Sequence, residues 1–321
     1  MMTRLALIGC GENATSYTAV TPRLANVVFV AVVDPEPDVA QRIADSLGAS
    51  ITASSLDDLL DQHLDAFDAV LILESSDSRV SLAMRSAETG KHVSVASPLA
   101  PSAQTAEDII NACRSANVRL MVSNSLRFMP SQQEVKAALT DGKLGEPGLL
   151  RMHRWTKSTA HHDANSIMMR QTVDGIDLAI WLFDEMPTEV YAVSCPSYVQ
   201  VHLGFADGGM ALIDDAQTLP DGDGYFSLSL IGSTGAAYAD DHHNRNLLFR
   251  GGDPSAIETD DLGSLHLTAQ LEEFVAAIEE QREPAANGTD SQAALQVAEA
   301  AVASLQSQQA LRLIGGTYEL V

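Results

Sequence analysis

Short apolar runs alternate with segments of helical periodicity through the first 123 residues of the chain. The runs at residues 5–8, 27–33 and 69–73 are apolar at nearly every position, as in strands buried on both faces. Shorter strands are predicted at residue 51 and at residues 92–95 and 120–123. Helices are predicted between these strands, at residues 15–24, 39–47, 56–63, 80–89 and 103–116. Because parallel neighbours need a crossover of this length, the pattern predicts an α/β domain with a doubly wound parallel sheet over residues 1–123.

The pattern changes after residue 123, where strands dominate. Strand-like segments, several separated by Gly or Asp-Gly, occur at residues 149–155, 189–194, 198–205, 209–216, 225–231, 236–238 and 247–250. Amphipathic helices are predicted at residues 172–183, 267–280 and 291–308. Residues 124–321 therefore predict a second, α+β domain in which helices cover one face of an antiparallel meander. The other face is left for packing on the cofactor side or for subunit association.

A glycine-rich turn joins the first predicted strand to the first helix. Gly9-Cys10-Gly11-Glu12-Asn13-Ala14 fits the G-x-G-x-x-A pattern in the strand–turn–helix context that dinucleotide binding requires. Gly9 suits the tight turn, Gly11 lets the backbone approach a pyrophosphate, and Ala14 permits close helix–strand packing. The free N–H groups at the helix start, from Glu12 and Asn13 onward, favour phosphate.

Asp34 ends the second predicted strand, 34 − 14 = 20 residues beyond Ala14. A carboxylate at this point accepts hydrogen bonds from ribose hydroxyls and repels a 2′-phosphate, so the sequence predicts NAD rather than NADP. The alternative is that the glycines only form a turn and that Asp34 caps the next helix.

Charge and composition narrow the possible partners. The 321 residues carry a formal net charge of −24, and lysine occurs only at positions 91, 136, 143 and 157, which opposes binding to nucleic acid phosphates. No apolar run approaches the length of a membrane span, so we expect no membrane partner and a cytoplasmic protein. Cys10, Cys113 and Cys195 have neither disulfide nor zinc-site spacing, and we expect no metal site.

Several motifs, in order and spacing, resemble those of the Gfo/Idh/MocA oxidoreductases, which include glucose-fructose oxidoreductase and inositol dehydrogenase. They are Gly90-Lys91-His92-Val93, Ser97-Pro98-Leu99-Ala100, Leu126-Arg127-Phe128-Met129-Pro130, Leu144-Gly145-Glu146-Pro147, Ile176-Asp177 with Trp181-Leu182, and Gln270-Leu271 with Phe274 and Ile278. The resemblance implies an N-terminal Rossmann domain and a C-terminal domain with a large, mostly antiparallel sheet. It also implies NAD(P)-dependent hydride transfer on a sugar or polyol by a homodimer or homotetramer that packs through the large sheet.

Two positions of the resembled reaction centre are substituted. Such proteins usually have a lysine in an E-K-P motif and a histidine in the substrate-domain helix, where this chain has Ser97 and Asp174. The turn that would be A-T-P is Leu73-Glu74-Ser75, which places a carboxylate near the expected nicotinamide–ribose region. Glu74 would disfavour the pyrophosphate if it pointed inward, and the alternative is that it faces solvent. Ser75, Ser76 and Ser97 are candidate cofactor contacts.

These substitutions support two opposed hypotheses. In the first, the protein is a dehydrogenase in which Asp174 is the general base, Ser97 donates a hydrogen bond, and Arg127 or His161 contributes positive charge. An aspartate of ordinary pKa is a weak base toward a hydroxyl, so burial would have to raise its pKa. In the second, the chain keeps the fold and the nucleotide but has lost hydride transfer, and it acts as a regulatory or assembly subunit.

Overall fold

The structure is a computed structural model that describes residues 2–74, 78–158, 163–220, 224–240, 245–249, 255–258 and 262–320. The chain divides into two compact units. The first unit contains Met1–Phe128 together with Gly263–Gln292, and the second contains Met129–Leu262 and Ala293–Val321. A segment near the C-terminus therefore belongs with the first half of the chain.

The helices predicted from the sequence are present in the described chain, with local differences at their ends, and helices that were not predicted lie at residues 125–128, 130–140 and 164–167. The full set is α1 (Glu12–Val20), α2 (Pro37–Leu47), α3 (Leu56–His63), α4 (Ser78–Glu88), α5 (Ala103–Ser115), α6 (Ser125–Phe128), α7 (Pro130–Thr140), α8 (Ala164–Ile167), α9 (Val173–Phe183), α10 (Leu262–Glu279) and α11 (Gly288–Ser307). The first helix ends at Val20 rather than at Leu24 because Pro22 cannot continue the hydrogen-bond ladder, and a 3-10 turn, Thr21–Arg23, follows. A π-helical turn, Met168–Thr172, precedes α9.

The first unit contains a parallel sheet of six strands among the described residues, in the order β3-β2-β1-β4-β5-β6. The strands are β1 (Thr3–Ile8), β2 (Val27–Val33), β3 (Ile51–Ala53), β4 (Ala69–Ile72), β5 (His92–Ala96) and β6 (Leu120–Ser123). Every observed pairing is parallel, which confirms the doubly wound α/β fold. The core of Leu5, Phe29 and Leu71 also includes Leu271 and Phe274 of α10, so α10 is part of this unit's hydrophobic core.

The second unit contains a mixed, mostly antiparallel sheet whose strand order is β14-β13-β12-β11-β7-β10-β9-β8-β15-β16 over the described residues. The strands are β7 (Pro147–Lys157), β8 (Glu189–Cys195), β9 (Tyr198–Gly204), β10 (Met210–Leu219), β11 (Tyr225–Gly232), β12 (Ala236–Asp240), β13 (Arg245–Phe249), β14 (Ser255–Glu258), β15 (Leu311–Ile314) and β16 (Thr317–Leu320). The α+β prediction is confirmed, but the simple meander is wrong. Strand β7 inserts between β10 and β11 and pairs in parallel with β10.

The two faces of the large sheet differ. The face that carries Met152 and Ile213 packs on α9, where a Cβ on Gly175 would meet both side chains. The opposite face leaves large apolar side chains exposed, namely Tyr191, Val193, Met210, Ile231 and Tyr238. Their positions in register put them on the same face as His202 and Arg151. The expectation of one covered and one open face therefore agrees with the described residues.

Candidate functional site

The glycine turn of the first unit has the geometry that a dinucleotide needs. Gly9 adopts φ +91°, and its N–H donates to the Val33 carbonyl at 3.0 Å, which ties the turn to the end of β2. Among the residues that the structure describes, none lies within 4 Å of a Cβ placed on Gly11, so the backbone is open to close approach from them. Ala14, in the first turn of α1, is fully buried. Since Gly11 gives the helix no side-chain cap, the first N–H groups of α1, which begins at Glu12, remain suited to an anion.

Asp34 holds its carboxylate at the same turn. One oxygen accepts from the Cys10 N–H at 2.9 Å, and the other accepts from the Glu36 N–H at 2.9 Å. A carboxylate has about four lone-pair sites, so acceptor capacity remains for two ribose hydroxyls. Burial, followed by the negative charge of Asp34 and then that of Glu74, raises the pKa of the Cys10 thiol to about 12.

A cavity of about 300 Å³ lies in the first unit beside the glycine turn. It is lined by Asn13, Ser16, Tyr17, Leu73, Ala96, Ser123, Ser125, His266, Leu267 and Gln270. Gln270 is 2% exposed and its Oε1 has no hydrogen-bond partner among the described residues. An unpaired buried acceptor in a cavity wall favours a ligand that carries an N–H donor, such as a carboxamide. The residues of this unit therefore fit a dinucleotide.

The sequence did not identify the α10 part of this wall. His266 and Gln270 follow the glycine turn by more than 240 residues, and no spacing rule connects them to it. The likeness of Gln270-Leu271 to family motifs marked a helix, without any indication that the helix lines this cavity. Ser97 directly follows the cavity residue Ala96 at the end of β5, whereas Ser75 and Ser76 lie outside the described residues.

An arginine of α4 fixes the turn after β4. Arg79 is 8% exposed, and its Nε donates to the carbonyl of Glu74 at 2.7 Å while Nη1 donates to the carbonyl of Pro98. The same side chain therefore holds the turn that carries Glu74 and the loop that carries Ser97. Arg127 also has a structural contact, because its Nη1 donates to Asp290 at 3.1 Å and to the carbonyl of Ala285 at 3.3 Å.

Asp174 belongs to an ionic cluster of the second unit that is mostly buried, with side-chain exposures of 17% for Arg154, 18% for Asp174 and 0% for Asp215. Arg154 lies between two carboxylates, with Nη1 3.3 Å from Asp174 Oδ2 and Nε 3.0 Å from Asp215 Oδ1. Gln171 adds a donor to Asp215 Oδ1 at 2.8 Å and accepts from Arg154 through its carbonyl. Burial alone would lower the pKa of Arg154, but the charges of Asp215 and Asp174 outweigh burial and raise it. His161 lies outside the described residues.

Strand register explains why these groups meet. Arg154 on β7 is directly opposite Asp215 on β10, so their side chains leave the same face of the sheet, and Asp174 comes from the first turn of α9 above that face. Asp215 is fully buried, and its second oxygen has no partner among the described residues. The cluster therefore has one cation and two carboxylates, and Asp174 has a cation partner.

Neither a metal cluster nor a membrane helix is found in the part of the chain that the structure describes. Groups of three or more metal-ligating side chains are absent there. Within the same residues, no helix is both long and apolar enough to cross a membrane.

The fold and the glycine turn define a Rossmann-type dinucleotide-binding domain, and comparison with known families places that domain in an oxidoreductase family. Residues 3–124 match the family described as "Oxidoreductase family, NAD-binding Rossmann fold", and residues 136–313 match "Oxidoreductase family, C-terminal alpha/beta domain". The chain therefore belongs to the Gfo/Idh/MocA oxidoreductase family, as the motifs predicted.

Individual relatives cover nearly the whole chain. An inositol 2-dehydrogenase of Rhizobium meliloti (strain 1021) is 26% identical and is matched over 98% of this chain and 100% of its own length. A solved structure from Sinorhizobium meliloti 1021, named as a myo-inositol dehydrogenase, is 25% identical, with a TM-score of 0.85 over 98% of this chain and 100% of that one. A levoglucosan dehydrogenase solved with NADH and levoglucosan shares the fold, with a TM-score of 0.85 at 17% identity over 97% of this chain and 99% of that chain.

Proposed function

We propose that this protein is an NAD-dependent dehydrogenase that oxidises a hydroxyl group of a polyol or sugar. The observation that carries the proposal is the tethered Asp34 carboxylate beside the open Gly11 backbone, in a chain that belongs to an oxidoreductase family. The carboxylate favours a ribose 2′-hydroxyl over a 2′-phosphate, which supports NAD over NADP. The polyol or sugar class is supported by the names of the inositol dehydrogenase relatives.

When bound, NAD would accept the hydride, and the chain's own residues would bind and orient it. Gly9, Gly11, Glu12, Asn13, Ala14 and Asp34 are the proposed binding residues, with Ser75, Ser76 and Ser97 on the side of β4 and β5. We assign Asp174 as the proton acceptor, Ser97 as a hydrogen-bond donor, and Arg127 and His161 as sources of positive charge. The same proposal assigns dinucleotide binding to a domain of residues 1–123, and substrate binding and subunit association to a domain of residues 124–321.

One observation favours the alternative of a non-catalytic, nucleotide-binding homologue with a regulatory or assembly role. Arg154 pairs with Asp174, and an adjacent cation stabilises the charged carboxylate and so makes it a weaker base. A screen of inositols, sugar alcohols and aldoses with NAD, followed at the NADH absorbance, separates the two functions. Turnover of one compound that is lost in Asp174→Asn supports the enzyme. Tight NAD binding without turnover of any compound supports the alternative.

Replacing Asp34 with Ala is expected to weaken NAD binding about 100-fold, because two hydrogen bonds to a charged acceptor contribute about 1.5 kcal/mol each. Titration calorimetry of the wild type and the variant measures the change. Asp38→Ala removes an exposed carboxylate from the first turn of α2 and provides the matched control, with an expected change of less than about twofold. Equal binding by the two variants would contradict the role of Asp34.

The open face of the large sheet is the proposed subunit interface of a homodimer or homotetramer. The exposed Tyr191, Val193, Met210, Ile231 and Tyr238 share that face, and exposed apolar patches mark association surfaces. Light scattering of the wild type is expected to give the mass of two or four chains. The double variant Tyr191→Glu, Tyr238→Glu is expected to shift the measured mass toward that of a single chain. A monomeric wild type would remove this part of the proposal.

The acidic chain is further proposed to be cytoplasmic, without nucleic acid, membrane or metal partners.

A further inference from the structure

Glu74 places a carboxylate directly against the glycine turn. Its Oε1 lies 2.9 Å and its Cγ 3.0 Å from the position that a Cβ on Gly9 would occupy. The backbone on both sides is held, since the Leu73 N–H donates to the Ile8 carbonyl at 2.9 Å and Arg79 donates to the Glu74 carbonyl at 2.7 Å. The backbone that carries this carboxylate is therefore held beside the glycine turn, and the Glu74 side chain is only partly exposed.

Strand order shows which half of a dinucleotide this carboxylate would face. Strand β1 lies between β2 and β4, so the glycine turn stands at the point where the strand order reverses. Asp34, on the β2 side, meets the adenosine ribose in such folds. Glu74 follows β4, on the opposite side of the turn, as do the cavity residues Leu73, Ala96 and Ser123 at the ends of β4, β5 and β6. The nicotinamide half of the dinucleotide therefore belongs on the side of β4, β5 and β6.

The negative charge of Glu74 acts at the turn itself. It contributes, after burial and Asp34, to raising the pKa of the Cys10 thiol. The oxidised nicotinamide ring carries a positive charge, whereas the reduced ring is neutral. The pyrophosphate is the same in both forms, so its repulsion by Glu74 cancels when the two affinities are compared.

We propose that Glu74 makes this site select the oxidised over the reduced dinucleotide. The inference rests on the proposed NAD-dependent function and adds a residue that sets the preference for one redox state. Its consequence is that Glu74 favours uptake of oxidised cofactor and departure of reduced cofactor, as a dehydrogenase working in the direction of oxidation requires. Asp34 contributes to both affinities alike, because the ribose is unchanged by hydride transfer.

The test compares the dissociation constants of NAD+ and NADH, measured by titration calorimetry with the intact protein at low salt. We expect the wild type to bind NADH about tenfold more weakly than NAD+, as one partly screened charge pair allows. Glu74→Gln is expected to bring the ratio of the two constants close to one, mainly by tightening NADH. Glu36→Gln removes the same charge from an exposed position on the β2 side and is expected to leave the ratio unchanged.

Several outcomes overturn the inference. If Glu74→Gln binds both forms with the wild-type ratio, Glu74 does not discriminate between them, while the proposed function stands. If the wild type binds neither form, the proposed function and this inference fail together. Should Glu74→Gln fold poorly, the wild type alone decides the question. In the wild type, the ratio of the NADH dissociation constant to that of NAD+ must fall toward one as salt rises from about 0.05 to 0.5 M, because screening weakens a charge pair. A ratio that does not change with salt contradicts the inference.

Discussion

Replacing Arg154 with Met is expected to lower the free energy of unfolding of the second unit by about 3 to 5 kcal/mol, because it leaves the fully buried Asp215 and the partly buried Asp174 without their cation. Arg154 bridges Asp174 and Asp215, and Asp215 is fully buried with one oxygen already unpaired among the described residues. Urea unfolding followed by tryptophan fluorescence measures the loss, since both tryptophans, Trp155 and Trp181, belong to this unit.

Arg312→Met is the matched control for Arg154→Met. Arg312 pairs with Glu189 in the same unit at 2.7 Å, but both side chains are at least half exposed, so we expect a change below about 1 kcal/mol. The triple variant Arg154→Met, Asp174→Asn, Asp215→Asn removes all three charges and is expected to recover part of the lost stability. Equal unfolding midpoints for Arg154→Met and Arg312→Met would show that the buried cluster contributes no more than a surface pair.

Gly232→Ala is expected to destabilise the second unit by about 3 kcal/mol, through a clash that no side-chain rotation relieves. A Cβ at this position would overlap the carbonyl oxygen of Leu144 and lie 2.9 Å from its carbonyl carbon and 3.1 Å from the carbonyl oxygen of Glu146. All three atoms belong to the backbone, and Leu144 is fully buried. The Leu144-Gly145-Glu146-Pro147 segment therefore needs a residue without a side chain opposite it.

The residue just before β11 provides the control for Gly232→Ala. A Cβ on Gly224 would have no neighbour within 4 Å in the described part of the chain, and the φ of Gly224 lies outside the left-handed region. Gly224→Ala is therefore expected to be neutral or to stabilise the protein by up to about 1 kcal/mol, since it restricts the unfolded chain. Thermal unfolding of the two variants side by side measures the difference. A Gly232→Ala protein as stable as Gly224→Ala would mean that the backbone at Leu144 moves aside at little cost.

The parts of this molecule that sequence reasoning predicted are those whose signal is local. Gly9 and Gly11 are separated from Ala14 by a few residues, and Asp34 follows at the distance of one βαβ unit, so spacing alone placed them together. The pairing of β7 with β10 is different, because 210 − 149 = 61 residues separate Leu149 from its partner Met210, and periodicity does not encode partner choice. For the same reason the sequence did not predict the ionic partners of Asp174, because only the pairing of β7 with β10 brings Arg154 and Asp215 together.

The return of α10 to the first unit has a consequence for how this protein could be divided or recombined. Its residues Leu271, Phe274 and Val275 belong to the same hydrophobic core as Leu5 and Phe29, and His266 and Gln270 line the cavity beside the glycine turn. A gene fragment that stops at residue 123 would encode every strand of the parallel sheet, yet its product would expose an apolar groove where α10 belongs. Exchange of nucleotide-binding modules between relatives must therefore carry two separate stretches of coding sequence, and a single crossover would yield a chimera with a mismatched core.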